Sequence, residues 1–135
     1  VDDPDVGKSA ILVSIFLNVF NVHVNRVPVD GIIESKKRKP GKFLAAFDHD
    51  ASDLNEQVIT IIKNDSGKIK VKQIAGLIAR RILCYANTDS EMKKGERLGF
   101  IRFGSRTDLL MPKKYNIQVK LGQKVTGGET IIGTL

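Results

Sequence analysis

Short runs of alternating apolar and polar positions fill most of the chain. The cleanest are QVITIIK at 57–63 and KIKVKQI at 68–74. In the second, Ile69 and Val71 fall on one face and Lys68, Lys70 and Lys72 on the other, the period of a half-buried strand. NDSGK at 64–68 supplies a hairpin turn between them. AILVSIFLNVF at 10–20 reads as a buried strand, and NVHVNRV at 21–27 sets Val22 and Val24 against His23 and Asn25. Pro28 and Asp30-Gly31 mark a bend before the strand-like IIES. KKRKPGK at 36–42 reads as a basic loop, GKFLAAF at 41–47 as a short apolar segment, and DHDASDLNEQ at 48–57 as a loop or one helical turn. IAGLIARRIL at 74–83 fits either period: Ile74, Leu77, Ile78 and Ile82 have helical spacing, whereas Gly76 and the β-branched content favour strand. EMKKGERLGF at 91–100 is a turn leading into a strand, and the stretch 115–135 predicts two short strands around Gly127-Gly128. Many short strands separated by turns predict a mainly β fold, a sandwich or barrel with little helix, in a single domain spanning 1–135.

One stretch breaks the pattern. GFIRFGSRTDLLMP at 99–112 alternates on both sides of Gly104-Ser105, yet glycine weakens a strand and offers nothing to pack. Either the chain bends or bulges there, or the backbone at that point has a chemical task. The flanking residues do not make a serine-hydrolase elbow, which needs Gly-x-Ser-x-Gly where this chain has Arg102 to Arg106 as RFGSR. A third reading is self-attack, in which Ser105 Oγ adds to the carbonyl of Gly104, a residue with no Cβ to obstruct it.

Composition narrows the class. The net charge is +7 and the pI about 9.6, which favours anionic partners. Trp is absent and there are two Tyr, so an aromatic platform for nucleic acid is not evident and no nucleic-acid partner is expected. The single cysteine, Cys84, excludes an internal disulfide and reads as a buried, inert thiol. The apolar run 10–17 falls short of the roughly 20 residues that span a bilayer. The acidic start VDDPDV predicts no signal peptide, and a first residue other than Met suggests a portion upstream of Val1. VGKS at 6–9 lacks the earlier glycine of a phosphate loop, since Asp2 stands in that place. His49, between two acids in FDHD, reads as a surface residue, and His23 by default as a hydrogen-bonded strand histidine. No metal-ligand pattern is present.

Taken in order, IFLNVFNVHVNRVP, PGKFLAAF, QIAGLIARRI, GERLGFIRFGSRTDLLMP and GQKVTGGETIIG resemble the short bacterial and archaeal (type II) form of phosphatidylserine decarboxylase over most of 10–135, in its carboxy-terminal portion. HVNR at 23–26 and RFGSR at 102–106 carry the likeness together. The terminal stretch also resembles lipoyl- and biotinyl-carrier domains, which implies a barrel-sandwich-hybrid-like fold. The decarboxylase resemblance implies a proenzyme that cuts itself between Gly104 and Ser105, leaving a β chain 1–104 and an α chain 105–135 as a heterodimer. Ser105 then becomes a covalent pyruvoyl cofactor, and the reaction converts phosphatidylserine to phosphatidylethanolamine and carbon dioxide. It further implies that His23 is the catalytic acid, and that Arg106 and Asn25 assist with substrate charge and polarity. Longer members have a second histidine at the place of Arg26, which the short form lacks. The family's processing Asp, in a Pro-x-Asp-Gly segment before the histidine strand, has no counterpart upstream; Pro28–Gly31 has the pattern but follows His23.

Two other readings stand beside it. The ether-lipid counterpart, archaetidylserine decarboxylase, has the same head-group chemistry. A non-enzymatic lipoyl-like carrier or interaction module would explain the last third alone, but the carriers' Lys between two Met is missing. A lipid substrate implies peripheral work on the cytoplasmic side of the cell membrane. Lys36, Lys37, Arg38, Lys39 and Lys42, joined by Lys113 and Lys114, are the expected contacts to an anionic membrane surface.

Overall fold

Antiparallel pairing of the short runs builds two principal sheets. In the computed structural model, which describes residues 1–17, 24–46, 48, 50–77, 81–101 and 105–135, the strands in chain order are β1 (Ile11–Leu17), β2 (Val24–Arg26), β3 (Gly31–Lys39), β4 (Gln57–Asn64), β5 (Gly67–Ile74), β6 (Ile82–Cys84), β7 (Glu91–Met92), β8 (Arg97–Ile101), β9 (Ser105–Met111), β10 (Asn116–Ile117) and β11 (Gly133–Thr134). One helical turn, α1 (Ala51–Leu54), precedes β4. The large sheet has the order β1-β9-β5-β4-β3-β7, the small one β2-β8-β6, and β10 pairs with β11 alone. The fold is thus mainly β, an open sandwich rather than a closed barrel among the described residues.

The core lies between the sheets. Ile33, Ile62, Ile69, Val71, Leu109 and Met111 of the large sheet pack with Val27, Leu98 and Met92. A second cluster joins Val58 and Ala75 to Ile82 and Ile101 of the small sheet. The hairpin expected at 64–68 joins β4 to β5, with Asn64 opposite Gly67. Gly67 has φ +118°, a conformation that suits glycine.

Two expectations need correction. AILVSIFL is an edge strand, not a fully buried one: among the described residues β1 pairs only with β9, so Leu12 and Phe16 remain 39% and 49% exposed while Ile11, Val13 and Ile15 turn to the core. The basic run is not a loop either. Lys36, Lys37, Arg38 and Lys39 belong to β3 and pair with Thr60, Ile59, Val58 and Gln57. Since β7 covers only Gly31 and Ile32, the rest of β3 is an open edge among the described residues, where charged side chains are tolerated and discourage further pairing. Ile78 lies outside the described residues. Within the ambiguous run, Ile74 ends β5 and Ile82 opens β6, so strand pairing prevails at both ends.

Residues 1–10 lie along the outer face of the large sheet, fastened by Lys70. Its Nζ meets Asp3 Oδ2 at 2.8 Å and Asp5 Oδ2 at 2.7 Å. Burial alone would lower the Lys70 pKa, but the two carboxylates hold it above 10.5. Burial alone would raise Asp3; the Lys70 hydrogen bond and the N–H groups of Val6 and Asp5 hold it below 3.8. The Asp3 contribution is therefore complete above its unfolded value and is lost as pH falls through the lowered one. That of Lys70 is complete below its unfolded value and is lost as pH rises through the raised one. Lys70→Ala should cost about 3 kcal/mol near neutrality, the scale of a broken buried pair. Denaturant unfolding should show that difference shrinking as acid protonates Asp3; a difference independent of acid would contradict the assignment.

Candidate active site

Two passages of the chain between the sheets lie side by side. β1 ends at Leu17 in the large sheet and β2 begins at Val24 in the small one; β8 ends at Ile101 in the small sheet and β9 begins at Ser105 in the large one. The two crossings are neighbours, because Leu17 pairs with Ser105 and Val24 with Phe100. Between Ile101 and Ser105 the chain thus passes from the small sheet to the large one. Gly104, His23 and His49 lie outside the described residues. The described neighbours of the first two, Ser105 and Val24, lie at this same end of the sandwich.

Ser105 is 1% exposed. Side chains alternate along β9, so Ser105 shares a face with Thr107 and Leu109, toward the small sheet, while Arg106 and Asp108 point the other way. On the inner face, Asn25 Nδ2 donates to Thr107 Oγ1 at 3.1 Å. Gln73 Nε2 donates to Asn25 Oδ1 at 3.0 Å and to the Leu83 carbonyl at 3.1 Å. Gln73 pairs across the sheet with Thr107, and its amide lies over Gly99, where any Cβ would collide with that amide and with the Leu83 carbonyl. One buried glutamine on β5 thereby fastens β2 and β6 to the large sheet beside Ser105. Its Oε1 is buried with no hydrogen-bond partner among the described residues.

Gln73→Leu should therefore destabilise the fold by about 1–3 kcal/mol, the range for stranding buried polar partners. Gly99→Ala should cost more, because backbone must move. Chemical denaturation of both variants checks this, and a Gly99→Ala protein as stable as the parent would refute the close approach.

On the outer face, Arg106 Nε donates to Asp108 Oδ1 at 2.7 Å and an Nη donates to Ser14 Oγ at 2.9 Å. Its guanidinium stands 5.3 Å from the centre of the Phe16 ring. Ser52 Oγ donates to Asp108 Oδ2 at 2.6 Å. Ser14, Phe16, Ser52 and Arg106 line a cleft of about 630 Å³ bordered by Leu12, Leu110 and Lys72. Burial pushes the Lys72 pKa below 10.5, partly offset by Asp108 and Asp53. Asn25 is thus brought beside the Ser105 face, whereas Arg106 serves the opposite one. Lys113 and Lys114 follow the far end of β9, roughly 20 Å from Ser105 at about 3.3 Å per residue, and so stand apart from the basic run of β3.

Sequence reasoning missed Gln73, Thr107 and Asp108. Gln73 did leave a signal, as the polar member of the Ile69, Val71, Gln73 face. Asp108 left another, as an acid inside a strand of otherwise buried residues.

The family model described as phosphatidylserine decarboxylase matches residues 3–133. The chain belongs to the phosphatidylserine decarboxylase family. Among its relatives, the phosphatidylserine decarboxylase proenzyme of Prosthecochloris aestuarii is 42% identical over 134 residues, covering 99% of this chain and 62% of the relative. That of Wolbachia pipientis wMel is 50% identical over 129 residues, 95% of this chain and 56% of the relative. A putative archaetidylserine decarboxylase proenzyme of Methanococcoides burtonii is 47% identical over 120 residues, 89% of this chain and 57% of the relative. The chain thus spans about three-fifths of the length of the curated relatives it matches. No solved structure matches it. Family membership agrees with the resemblance carried by HVNR and RFGSR.

Proposed function

We propose that this chain carries the self-processing and catalytic domain of a decarboxylase for phosphatidylserine, with Ser105 as the processing nucleophile. The supporting observation is the position of Ser105, buried in a strand that is hydrogen-bonded on both sides. A cut between Gly104 and Ser105 would leave 105–135 held by β1 and β5. The domain 1–135 would then persist as a heterodimer of 1–104 and 105–135.

The chemistry of the cut balances within the chain plus one water. Ser105 Oγ adds to the Gly104 carbonyl, and the acyl group passes from nitrogen to oxygen. Elimination releases the Gly104 carboxylate and leaves a dehydroalanine. Water converts that residue to a pyruvoyl group and ammonia. The group is built from the carbons of Ser105 and is no larger than serine, so the buried position accepts it without a new cavity. When formed, it supplies an electron sink for the breaking carbon–carboxylate bond. His23 is the proposed proton donor to the product carbon, since imidazole titrates near neutrality. Asn25, held by Gln73 and Thr107, is proposed to set polarity on the Ser105 face, and Arg106 on the cleft side.

Phosphatidylserine is the substrate favoured by two of the three relatives described; the ether lipid offers the same amine and carboxylate. A carrier role lacks its attachment site, as the two methionines, Met92 and Met111, do not flank a lysine. No described helix is long and apolar enough to cross a membrane, and we place the work peripherally, at the cytoplasmic side of the cell membrane. Incubation with phosphatidylserine and a borohydride should join substrate covalently to the 105–135 piece. Attachment only within 1–104, for example at the Lys72 amine, would overturn the proposal.

A further inference from the structure

The register of the large sheet gathers more than Ser105 at one end. Leu17 pairs with Ser105, Arg106 with Ile74, Ile74 with Gln57, and Gln57 with Lys39. The basic end of β3 and the start of β9 therefore share one end of the sheet. Arg81, exposed, precedes Ile82, which pairs with Ile101 at the corresponding end of the small sheet. Arg38 ties the two sheets there, donating to the Ile82 carbonyl at 2.9 Å, and it also meets Glu56 at 3.6 Å. The run 36–42 holds five cations and no acid. Leu77, three residues beyond the end of β5, is 56% exposed at the same end.

We propose that this end of the sandwich is the face that docks on an anionic lipid bilayer, with Lys39, Lys42 and Arg81 meeting head groups and Leu77 entering the interface. The inference rests on the proposed lipid substrate for its purpose, but its geometry is independent of it. Cations that share one end of the sandwich with an exposed leucine match an anionic surface with an apolar interior, although Lys39 Nζ also donates to the Asp53 carbonyl at 2.7 Å. A docked protein would present the strand start bearing Ser105 to the lipid layer. The open edge of β3 offers a competing explanation, in which the lysines merely prevent edge-to-edge pairing.

The chain has no tryptophan, so Leu77→Trp reports insertion alone. Its fluorescence should shift to the blue on phosphatidylglycerol vesicles and not on phosphatidylcholine vesicles. Ile32→Trp, 53% exposed at the opposite end of the large sheet, should not shift. The Lys39→Gln, Lys42→Gln, Arg81→Gln triple variant should bind anionic vesicles about 10²-fold less tightly, at roughly fivefold per lost cation. The Lys113→Gln, Lys114→Gln pair should bind as the parent does. A shift at Ile32→Trp in place of Leu77→Trp, equal binding to neutral vesicles, or a triple variant that binds normally would overturn the inference. So would self-association of the triple variant with unchanged vesicle binding, which would make the lysines edge guards. Turnover separates the two proposals. If docking behaves as described but neither vesicular nor short-chain monomeric phosphatidylserine is decarboxylated, the docking face stands and the enzymatic reading fails. If short-chain substrate is turned over by a protein that does not dock through this end, the enzymatic reading stands and the docking face falls.

Discussion

Ser105→Ala should leave the chain uncut and without decarboxylase activity. The substitution removes one buried hydroxyl and leaves the backbone pairing of β9 with β1 and β5 intact. The fold should therefore survive, and the loss should be chemical. Without Oγ no acyl transfer from the Gly104–Ser105 peptide can begin, and no pyruvoyl group can form. Activity should fall to background, a larger effect than that of any other single change considered. Ser105→Cys should cut slowly, because sulfur also attacks a carbonyl. Denaturing electrophoresis and unfolding of the Ala variant check both halves. A folded Ser105→Ala chain cut at the same bond would remove serine from the role of nucleophile.

His23→Gln should process and fold, yet decarboxylate at least about 10²-fold more slowly, the usual contribution of a positioned acid or base. Glutamine keeps a polar side chain of similar reach but cannot deliver a proton near neutral pH. The parent's rate should depend on a group titrating in the imidazole range, and that dependence should vanish in the variant. Circular dichroism should confirm the retained strands. Parental turnover by a folded His23→Gln protein would remove the histidine from the role of proton donor.

How much of this was legible beforehand depended on how local the cause was. KIKVKQI announced β5 because one face of a strand needs only its own alternation to be recognised. NDSGK announced the hairpin because a tight turn selects its residues directly. The basic run 36–42 misled, since charge usually marks a loop. Its backbone nevertheless pairs with β4, a partner some twenty positions away, and only the sheet's order reveals an open edge. AILVSIFL misled for the same reason, because composition does not say that β1 has a neighbour on one side only. The site divided likewise. Gly104-Ser105 was visible as a break in alternation, and HVNR with RFGSR carried the family. That Asn25, Gln73 and Thr107 form one hydrogen-bonded staple was not visible, because it joins β2, β5 and β9 through two sheets. The opposite placements of Arg106 and Ser105 followed from strand alternation, but only once both were known to lie in β9.

Conversion of Ser105 after cleavage is read from the intact mass of the purified protein under denaturing conditions. Two species should appear, one ending at Gly104. The other should begin at position 105, lighter by one ammonia than a serine-initiated chain and refractory to amino-terminal sequencing. A single uncut species without pyruvoyl, in a preparation that nonetheless decarboxylates phosphatidylserine, would contradict it.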